Sequence, residues 1–307
     1  MPGVSIILPT FNRTRFLTAA VESVMAQTYA DWEMIIADDG SGEQTRDYLR
    51  ALRDPRIRVL WLEHCGNPAR VRNAGIEAAG GRYLAFLDSD DLWAPTKLQR
   101  QLAAMGLRPG SRWSYCGCDR IDAQGRRLAA ENRFPPRDGW IFEALLKLET
   151  AVAMPTVVAN RDLVRALGGF DEQQHFGEHH DFCLRLAAHS EVVAVHEPLC
   201  SLRVHDEHYS ADRISAKASW MRLYEKAARS TSSADLQAYC ARMRSDISLQ
   251  LAGLRGDREG YWAIWSTLRS AVVFSWRYPR WWLGAVIRLV RPAVRALLPS
   301  ALLRSRG

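Results

Sequence analysis

The stretch YLAFLDSDDLWAP, residues 83–95, joins an apolar run to three aspartates within four positions. The apolar run, Leu84–Leu87, is typical of a buried strand. Asp88, Asp90 and Asp91 repel one another as carboxylates, so something nearby must make their clustering tolerable. A divalent cation with oxygen ligands would do so, and a fully solvated loop would do so as well. The rest of the sequence has to decide between these two interpretations.

Length, charge and cysteine content limit the kind of protein that this sequence can encode. The chain has 307 residues, 48% of them hydrophobic, which is enough for one large or two modest domains. A net charge of +7 and a pI near 9.3 favour anionic partners, such as nucleotide phosphates, nucleic acid or an anionic membrane face. The six cysteines form no C-x-x-C pair, which argues against a zinc site and fits a reducing cytosol.

Neither a secretory leader nor a membrane-spanning segment is expected. The opening residues, MPGVSIILPTFNR, lack a basic leader and a long apolar core. In the apolar C-terminal part the uncharged runs, among them Trp281–Ile287, are far shorter than the ~20 residues that a bilayer requires. We therefore expect a cytoplasmic protein.

Apolar strands alternate with amphipathic helices through the first hundred residues. This alternation predicts an α/β fold with a mostly parallel sheet that helices cover on both faces. The pattern is mixed from about 111 to 210 and helical from 211 to 307, so we expect a catalytic domain over 1–210 and a helical extension over 211–307. The predicted strands are 4–8, 32–37, 57–62, 82–87 and 113–119, and the predicted helices include 43–52, 68–79, 139–149 and 178–189.

Polar clusters follow three of these strands, namely PTFNR at 9–13, DDGS at 38–41 and DSDD at 88–91. In parallel sheets, ligands bind at the carboxyl ends of the strands, which favours a ligand site over a solvated loop. Two simpler explanations stay open: Asp90 or Asp91 caps the helix that starts near Pro95, and DDGS forms a turn. Hydride transfer is disfavoured because no G-x-G-x-x-G turn follows the first strand.

Five motifs in order resemble those of the family 2 inverting glycosyltransferases, which have the GT-A fold. The resemblance covers roughly residues 3–210, and the ordered set is specific although each motif alone is not. It implies a nucleotide-sugar donor, most often a UDP-sugar, and a divalent metal, Mn²⁺ or Mg²⁺. The motifs are VSIILPTFNR (4–13), ESVMAQTYADWEMIIADDGS (22–41), ARVRNAGIEAAGGRYLAFLDSDDLWAP (69–95), GGFDE (168–172) and EHHDFCLRLA (178–187).

The resemblance also implies roles for individual side chains. The nucleoside pocket would contain Pro9, Thr10 and Phe11, and Asp39 would accept from the uracil N3–H. The donor phosphates and sugar would lie near Arg72, Asp88 and Asp91, while Asp90 would bind the metal. Arg203 and His205 would help to hold the diphosphate or the metal.

Members of this family need a base that takes the proton from the acceptor hydroxyl during an in-line displacement with inversion. An Asp usually has this role, in a Glu-Asp pair at the start of a helix that carries LRL. Here the pair is Glu178-His179, so His179 occupies the usual Asp position. A histidine is a suitable general base near neutral pH. We rank Glu178 and His179 nearly equal as the base, with Asp181 third.

The expected function is the transfer of a sugar from a nucleotide sugar to a glycan or lipid-linked acceptor during cell-envelope polysaccharide synthesis, with no nucleic-acid partner. A nucleotidyltransferase is one alternative, but it normally has a glycine-rich basic loop where this chain has PTFNRTR. The other alternative is a non-catalytic membrane-surface scaffold, suggested by the altered Glu178-His179 pair. The clustered aspartates argue against the scaffold, because a site that no longer binds a substrate has little physical reason to keep mutually repelling carboxylates.

The tail, residues 274–304, is rich in tryptophan and arginine. On a helical wheel five arginines share an arc of about 80° and apolar side chains cover the opposite side. Pro279 and Pro292 are expected to bend or break this helix. Two interpretations stay open: the helix packs on the catalytic domain with its arginines in water, or it is an in-plane anchor to an anionic membrane surface. The arginines are Arg277, Arg280, Arg288, Arg291 and Arg295.

Overall fold

The computed structural model describes residues 2–129, 135–205 and 212–297, with side chains up to residue 290. The chain divides into two compact units. The first unit comprises residues 1–173 and 178–209, and the second comprises residues 174–177 and 210–307.

The first unit is built on an eight-stranded sheet in the order β3-β2-β1-β4-β7-β6-β8-β5. Strands β1 to β4 are mutually parallel, β7 and β5 are antiparallel to their neighbours, and β6 is parallel to β8. The strands are β1 Val4–Thr10, β2 Trp32–Asp38, β3 Ile57–Trp61, β4 Tyr83–Phe86, β5 Leu92–Trp93, β6 Trp113–Ile121, β7 Val158–Asn160 and β8 Val192–Arg203. The helices are α1 Thr14–Met25, α2 Glu43–Ala51, α3 Pro68–Ala78, α4 Lys97–Gly106, α5 Phe142–Leu146, α6 Arg161–Ala166 and α7 Glu178–His189, with a 3₁₀ turn at Met154–Thr156.

The register of the sheet determines where the site forms. Thr10 of β1 pairs with Asp38 of β2, and Ile7 of β1 pairs with Phe86 of β4. The polar clusters that follow these three strands therefore leave the sheet at one edge. Helix α3 packs closely over β1, because a Cβ at Gly75 would lie only 2.6 Å from Ile7 Cγ2.

The predicted strands and helices around the site agree with the structure, but the helix predicted over 139–149 was too long. Only Phe142–Leu146 is helical. Gly139 forms an isolated bridge with Val192, so its N–H and C=O groups are used outside a helix. Leu148 has a φ of 57°, which ends the helix on the other side.

The second unit contains four helices among the described residues. A small core of buried residues, including Ile264, Leu268, Trp281 and Ala285, holds the last three helices together. The expected break at Pro292 is wrong, since the last helix runs through it, and Pro279 is that helix's first residue, where proline is well tolerated. Among the described residues, none of the helices combines the length and the apolar character needed to cross a membrane. The helices are α8 Arg213–Arg229, α9 Ala234–Glu259, α10 Tyr261–Ser275 and α11 Pro279–Leu297.

Candidate active site

A buried arginine joins two of the carboxylates that the sequence singled out. Arg72 Nη2 donates to Asp88 Oδ1 at 2.6 Å, and Arg72 Nη1 donates to Glu178 Oε1 at 3.1 Å. Only 7% of the Arg72 side chain is exposed. Burial by itself lowers the pKa of Arg72, but the Asp88 and Glu178 carboxylates raise it, and the net shift is upward. The guanidinium therefore stays charged and holds together side chains that are far apart in sequence.

Packing explains how Arg72 reaches both carboxylates. Asp88 leaves the sheet after β4, and Glu178 is the first residue of α7. The Phe170 ring lies 5.4 Å from the Arg72 guanidinium and stacks on Phe182 of α7 at 4.3 Å. Asn73, the residue after Arg72, binds both the N–H and the C=O of Phe170. These contacts fix α3, α7 and the loop between α6 and α7 against one another.

Asp90 lies in a second cluster. His205 Nε2 is 2.9 Å from Asp90 Oδ2, and Arg13 Nη1 is 3.5 Å from the same oxygen. Arg13 Nη1 is also 3.2 Å from His205 Nε2. The two side chains predicted to bind a metal are therefore adjacent, although 115 positions separate them in the sequence.

Asp91 points into the protein. It is 6% exposed, and its Oδ1 accepts from the Arg203 N–H at 2.8 Å. Burial raises the pKa of Asp91 well above its ordinary value, and the neighbouring Asp88 and Asp90 raise it further. The Arg203 guanidinium donates to the backbone carbonyls of Asp90, Asp122 and Ala123. These contacts make Arg203 a positioning residue for the Asp88–Asp91 loop, so its predicted contact with the donor stays a prediction.

The residues around Asp90 can be tested for their fit to a metal ion. The described residues contain no group of three or more His, Cys, Asp or Glu side chains arranged to hold one. Asp90 and His205 offer one carboxylate oxygen and one imidazole nitrogen on adjacent side chains. A divalent ion at a nucleotide site takes one or two protein ligands and completes its shell with phosphates and water. The pair fits such an ion, and the imidazole favours Mn²⁺ over Mg²⁺.

The predicted nucleoside residues form a third group. The Asp39 carboxylate accepts from the backbone N–H of Cys65 and of Gly66, both at 2.9 Å, and His64 Nδ1 lies 3.0 Å from Asp39 Oδ2. The two backbone N–H groups use two of about four lone-pair sites on the carboxylate, and His64 Nδ1 also lies 2.9 Å from the Asp39 backbone carbonyl oxygen. The His64 ring also stacks on Phe11, with centroids 4.1 Å apart. The His64 ring, whose Nδ1 lies beside Asp39, is thus located where the nucleobase is predicted to bind.

The remaining two nucleoside residues flank this group. Pro9 is half-buried, and Thr10 is buried, with its Oγ1 lacking a hydrogen-bond partner among the described residues. The Thr10 carbonyl accepts from the Asp39 N–H at 2.9 Å, which joins the ends of β1 and β2. Asn12, with a φ of 52°, adds a second link because its Oδ1 accepts from the Gly42 N–H.

The three candidate bases lie in different environments on the first turn of α7. Glu178 is 17% exposed and paired with Arg72. His179 is 46% exposed, and its Nδ1 lies 4.0 Å from Glu178 Oε1. Asp181 is 2% exposed and accepts from Arg185 Nε at 2.9 Å. Only Glu178 and His179 are therefore open to a ligand beside Arg72. His180 lies between His179 and Asp181 in the sequence. Burial and the nearby His179 lower the pKa of His180 to about 4, so His180 is neutral.

A cavity of about 600 Å³ lies beside this site, lined by residues 12–16 and 42–45. Of its lining residues, Arg13 lies 3.5 Å from Asp90, and the Phe16 ring lies 4.9 Å from the His205 ring.

The family model "Glycosyl transferase family 2" matches residues 5–148. Residues 5–148 are a glycosyl transferase family 2 domain. The matched region contains Asp39, Arg72 and the Asp88–Asp91 loop. Glu178, His179, Arg203 and His205 lie beyond it, so their roles depend on the geometry above.

Curated relatives agree with this family. An Escherichia coli protein, "UDP-Glc:alpha-D-GlcNAc-diphosphoundecaprenol beta-1,3-glucosyltransferase WfgD", is 42% identical over 102 residues, which cover 33% of this chain and 40% of that protein. "Putative teichuronic acid biosynthesis glycosyltransferase TuaG" of Bacillus subtilis (strain 168) is 37% identical over 163 residues, which cover 52% of this chain and 63% of that protein. The chain thus spans 40% and 63% of the lengths of these two relatives.

Solved structures show the fold. The crystal structure of S. aureus TarS 1–349 in complex with UDP-GlcNAc has a TM-score of 0.68 at 15% identity, covering 87% of this chain and 81% of that one. The UDP complex of the same protein has a TM-score of 0.62 at 17% identity, covering 83% and 72%. The predicted α/β, GT-A-like fold with a helical C-terminal part is confirmed.

Two side chains that contact the predicted site residues, Arg13 and His64, are not predicted from the sequence. Arg13 stood in the quoted PTFNR motif, and its place directly after a strand-end cluster was a usable signal. His64 follows β3, the one early strand to which no polar cluster was assigned. A histidine at the carboxyl end of a parallel strand was the available signal there.

Proposed function

We propose that this protein transfers a sugar from a nucleotide sugar, namely a UDP-sugar, to a glycan or lipid-linked acceptor, with inversion at the anomeric carbon. One observation carries the proposal: Arg72 bridges Asp88 and Glu178 at the strand-end edge where Asp90 and Asp39 also lie. This arrangement combines a fixed positive charge for phosphates with carboxylates for sugar hydroxyls. A peripheral location on the cytoplasmic membrane face is part of the proposal.

The comparisons support the choice of donor and acceptor class. The name of the E. coli relative includes a UDP-glucose donor and a diphosphoundecaprenol-linked GlcNAc acceptor, and that of the B. subtilis relative places it in teichuronic acid biosynthesis. The TarS crystals contain UDP or UDP-GlcNAc. Synthesis of a cell-envelope polysaccharide on a lipid carrier is therefore the process that we propose for this chain.

In the proposed reaction, the acceptor hydroxyl attacks the anomeric carbon while the bond to the diphosphate breaks. Glu178 Oε or His179 receives the hydroxyl proton, and Arg72 stays charged beside the developing negative charge. Asp88 and the Arg72 guanidinium hold the donor, and Arg203 keeps the Asp88–Asp91 loop in place through its carbonyl contacts. Asp90 and His205 would hold a divalent ion, Mn²⁺ or Mg²⁺, which would supply Lewis-acid stabilisation of the departing diphosphate.

The base is tested by Glu178→Gln and His179→Ala, with His189→Ala at the other end of α7 as the control. Turnover is followed by UDP release, and UDP affinity is measured on the same samples. The variant that removes the base should lose about 10²–10⁴-fold in turnover and keep its UDP affinity. If both variants keep the wild-type rate, neither residue is the base.

The metal ligand is tested by Asp90→Asn, which removes a charge with little change in volume. Thermal shift with UDP is measured with and without Mn²⁺, because a ligand that binds only the folded state raises its stability. Wild type should gain a larger shift from UDP plus Mn²⁺ than from UDP alone, and the variant should lose that extra gain. An unchanged gain in the variant would contradict the assignment.

A further inference from the structure

The C-terminal part of the chain differs from the rest in charge and in aromatic content. Residues 260–307 contain eight arginines and no acidic residue, whereas residues 1–259 carry 33 basic and 34 acidic side chains. The excess positive charge of the protein is thus confined to this segment. Five of the eleven tryptophans also lie in it.

Helix α10 exposes an apolar stripe. Its inner side is buried through residues such as Ile264, Leu268 and Ala271. On its outer side Trp262 is 74% exposed and Val273 is 81% exposed. These residues, with Trp265 and Trp276, recur at spacings of three, eight and three, which places them on one face. A helix that faces only water normally has polar side chains there.

Helix α11 also has two apolar sides. Trp281 and Ala285 are buried in the core shared with α9 and α10. The adjacent side is open to solvent, with Leu283 65% exposed and Val286 53% exposed. This helix therefore packs through one side on α9 and α10 and leaves a second apolar side uncovered. Packing on the catalytic domain and in-plane membrane anchoring both stay predictions.

The two stripes meet at the turn between the helices. Trp282 Nε1 donates to the Trp276 carbonyl at 3.1 Å, which joins the start of α11 to the end of α10. The Arg277 guanidinium lies 4.7 Å from the Trp276 ring, and the Arg269 guanidinium lies 5.1 Å from the Trp265 ring. We call the joined surface the tryptophan face. It consists of Trp262, Trp265, Val273, Trp276, Trp282, Leu283, Val286, Ile287 and Val290.

We propose that the tryptophan face binds the surface of an anionic lipid bilayer, with α10 and α11 lying in the plane of the headgroups. Indole rings prefer the headgroup region, and guanidinium groups stacked on them can reach lipid phosphates from the same depth. Each basic residue near an anionic bilayer adds about a fivefold increase in affinity. The proposal deepens the membrane location in the proposed function and rests on it, while naming the surface that is used.

Charge separates a lipid surface from a second copy of the chain as the occupant. A symmetric dimer through this face would bring two all-basic segments together, and like charges at close range oppose association. An anionic bilayer neutralises the same arginines. The residues most exposed on the face are large and apolar, so their burial in the headgroup region removes apolar area from water.

The test is sedimentation of the full chain with vesicles of phosphatidylcholine alone or mixed with phosphatidylglycerol. Truncation would remove Trp281 and Ala285 from the core, so point variants are used instead. Trp262→Ser, Val273→Ser and Leu283→Ser are combined, because these three side chains are among the most exposed on the face. Leu107→Ser, at 85% exposure in the first unit, is the matched control.

Wild type and the control should sediment with the mixed vesicles, and the triple variant should bind at least about tenfold more weakly. Arg269→Gln with Arg277→Gln should weaken binding to mixed vesicles about twenty-fivefold and flatten its salt dependence. UDP binding should be unchanged in all variants, which separates failure of the membrane face from failure of the proposed activity. Wild type that stays in the supernatant at low salt, or a triple variant that sediments like wild type, would overturn the proposal. A lipid-free dimer that the triple variant abolishes would instead assign the face to a second copy.

Discussion

Removing the guanidinium of Arg72 isolates two carboxylates that it now holds together. In Arg72→Met, Asp88 and Glu178 both lose the guanidinium that pairs with them, at 30% and 17% side-chain exposure. Breaking a buried ion pair by removing one partner costs about 3–5 kcal/mol. Because Asp88 is partly open to water, we expect the lower end of that range, about 3 kcal/mol.

Native-state hydrogen exchange measures this loss where it occurs. The opening free energy of amides in α3 and α7 should fall by about 3 kcal/mol in Arg72→Met, because both helices contribute to the pair. Arg50→Met is the matched control, since Arg50 pairs with Glu43 on the exposed surface of α2. It should leave the exchange of α3 and α7 unchanged.

A rescue experiment tests the electrostatic explanation. If the cost comes from two unpartnered charges, adding Asp88→Asn and Glu178→Gln to Arg72→Met should restore much of the lost protection. If Arg72→Met leaves α3 and α7 as protected as wild type, Arg72 does not join these helices. If the triple variant is no more protected than Arg72→Met, the loss comes from packing and the electrostatic reasoning is wrong.

Three further predictions concern other titratable or aromatic groups. Lys97 is fully buried and its Nζ has no hydrogen-bond partner among the described residues, so burial lowers its pKa from 10.5. The lowered pKa means that protonated Lys97 destabilises the folded state relative to the unfolded state. Lys97→Met should therefore raise the free energy of unfolding, measured by urea titration, by about 1–3 kcal/mol at neutral pH, and the gain should vanish above about pH 10.5. A lower free energy of unfolding at neutral pH would contradict this. His180 has a pKa of about 4 against 6.5 when unfolded, so the chain should lose stability as the pH falls from 6.5 towards 4, by about 3 kcal/mol in total. His180→Gln should remove that part of the pH dependence, and an unchanged pH profile would show that His180 is not its source. His64→Ala should tighten UDP binding about three- to tenfold in calorimetry, because the His64 ring competes with the nucleobase for Phe11 and Asp39. His196→Ala is the control, since His196 also lies near an aspartate. Weaker UDP binding in His64→Ala would mean that His64 supports the nucleobase instead.

The sequence predicts the parts of the fold that local patterns determine. Strands β1, β2 and β4 are mostly apolar and buried because helices cover both faces of a parallel sheet, and the polar residues that follow them indicate the edge of the site. The predicted start of α7 at Glu178 agrees with the structure. The helix expected over 139–149 is shorter because Gly139 bonds to Val192, a partner that no local pattern indicates.

Contacts between side chains distant in sequence account for what could not be predicted. The group of Arg13, Asp90 and His205 depends on the direction of three side chains from three separate elements. A helical wheel cannot separate the exposed side of α11 from its buried side, because Trp281 and Leu283 are both apolar. Only packing against α9 and α10 buries Trp281 and leaves Leu283 exposed.

Product analysis tests the central claim most directly. The full chain is incubated with a UDP-sugar, Mn²⁺ and a lipid-diphosphate-linked GlcNAc acceptor, and the acceptor is analysed by mass spectrometry and by NMR of the new glycosidic bond. Our account predicts a lipid extended by one sugar, with the anomeric configuration opposite to that of the donor, and no such product from Asp90→Asn. A retained configuration, a nucleoside monophosphate on the acceptor, or no product with any UDP-sugar tested would contradict it.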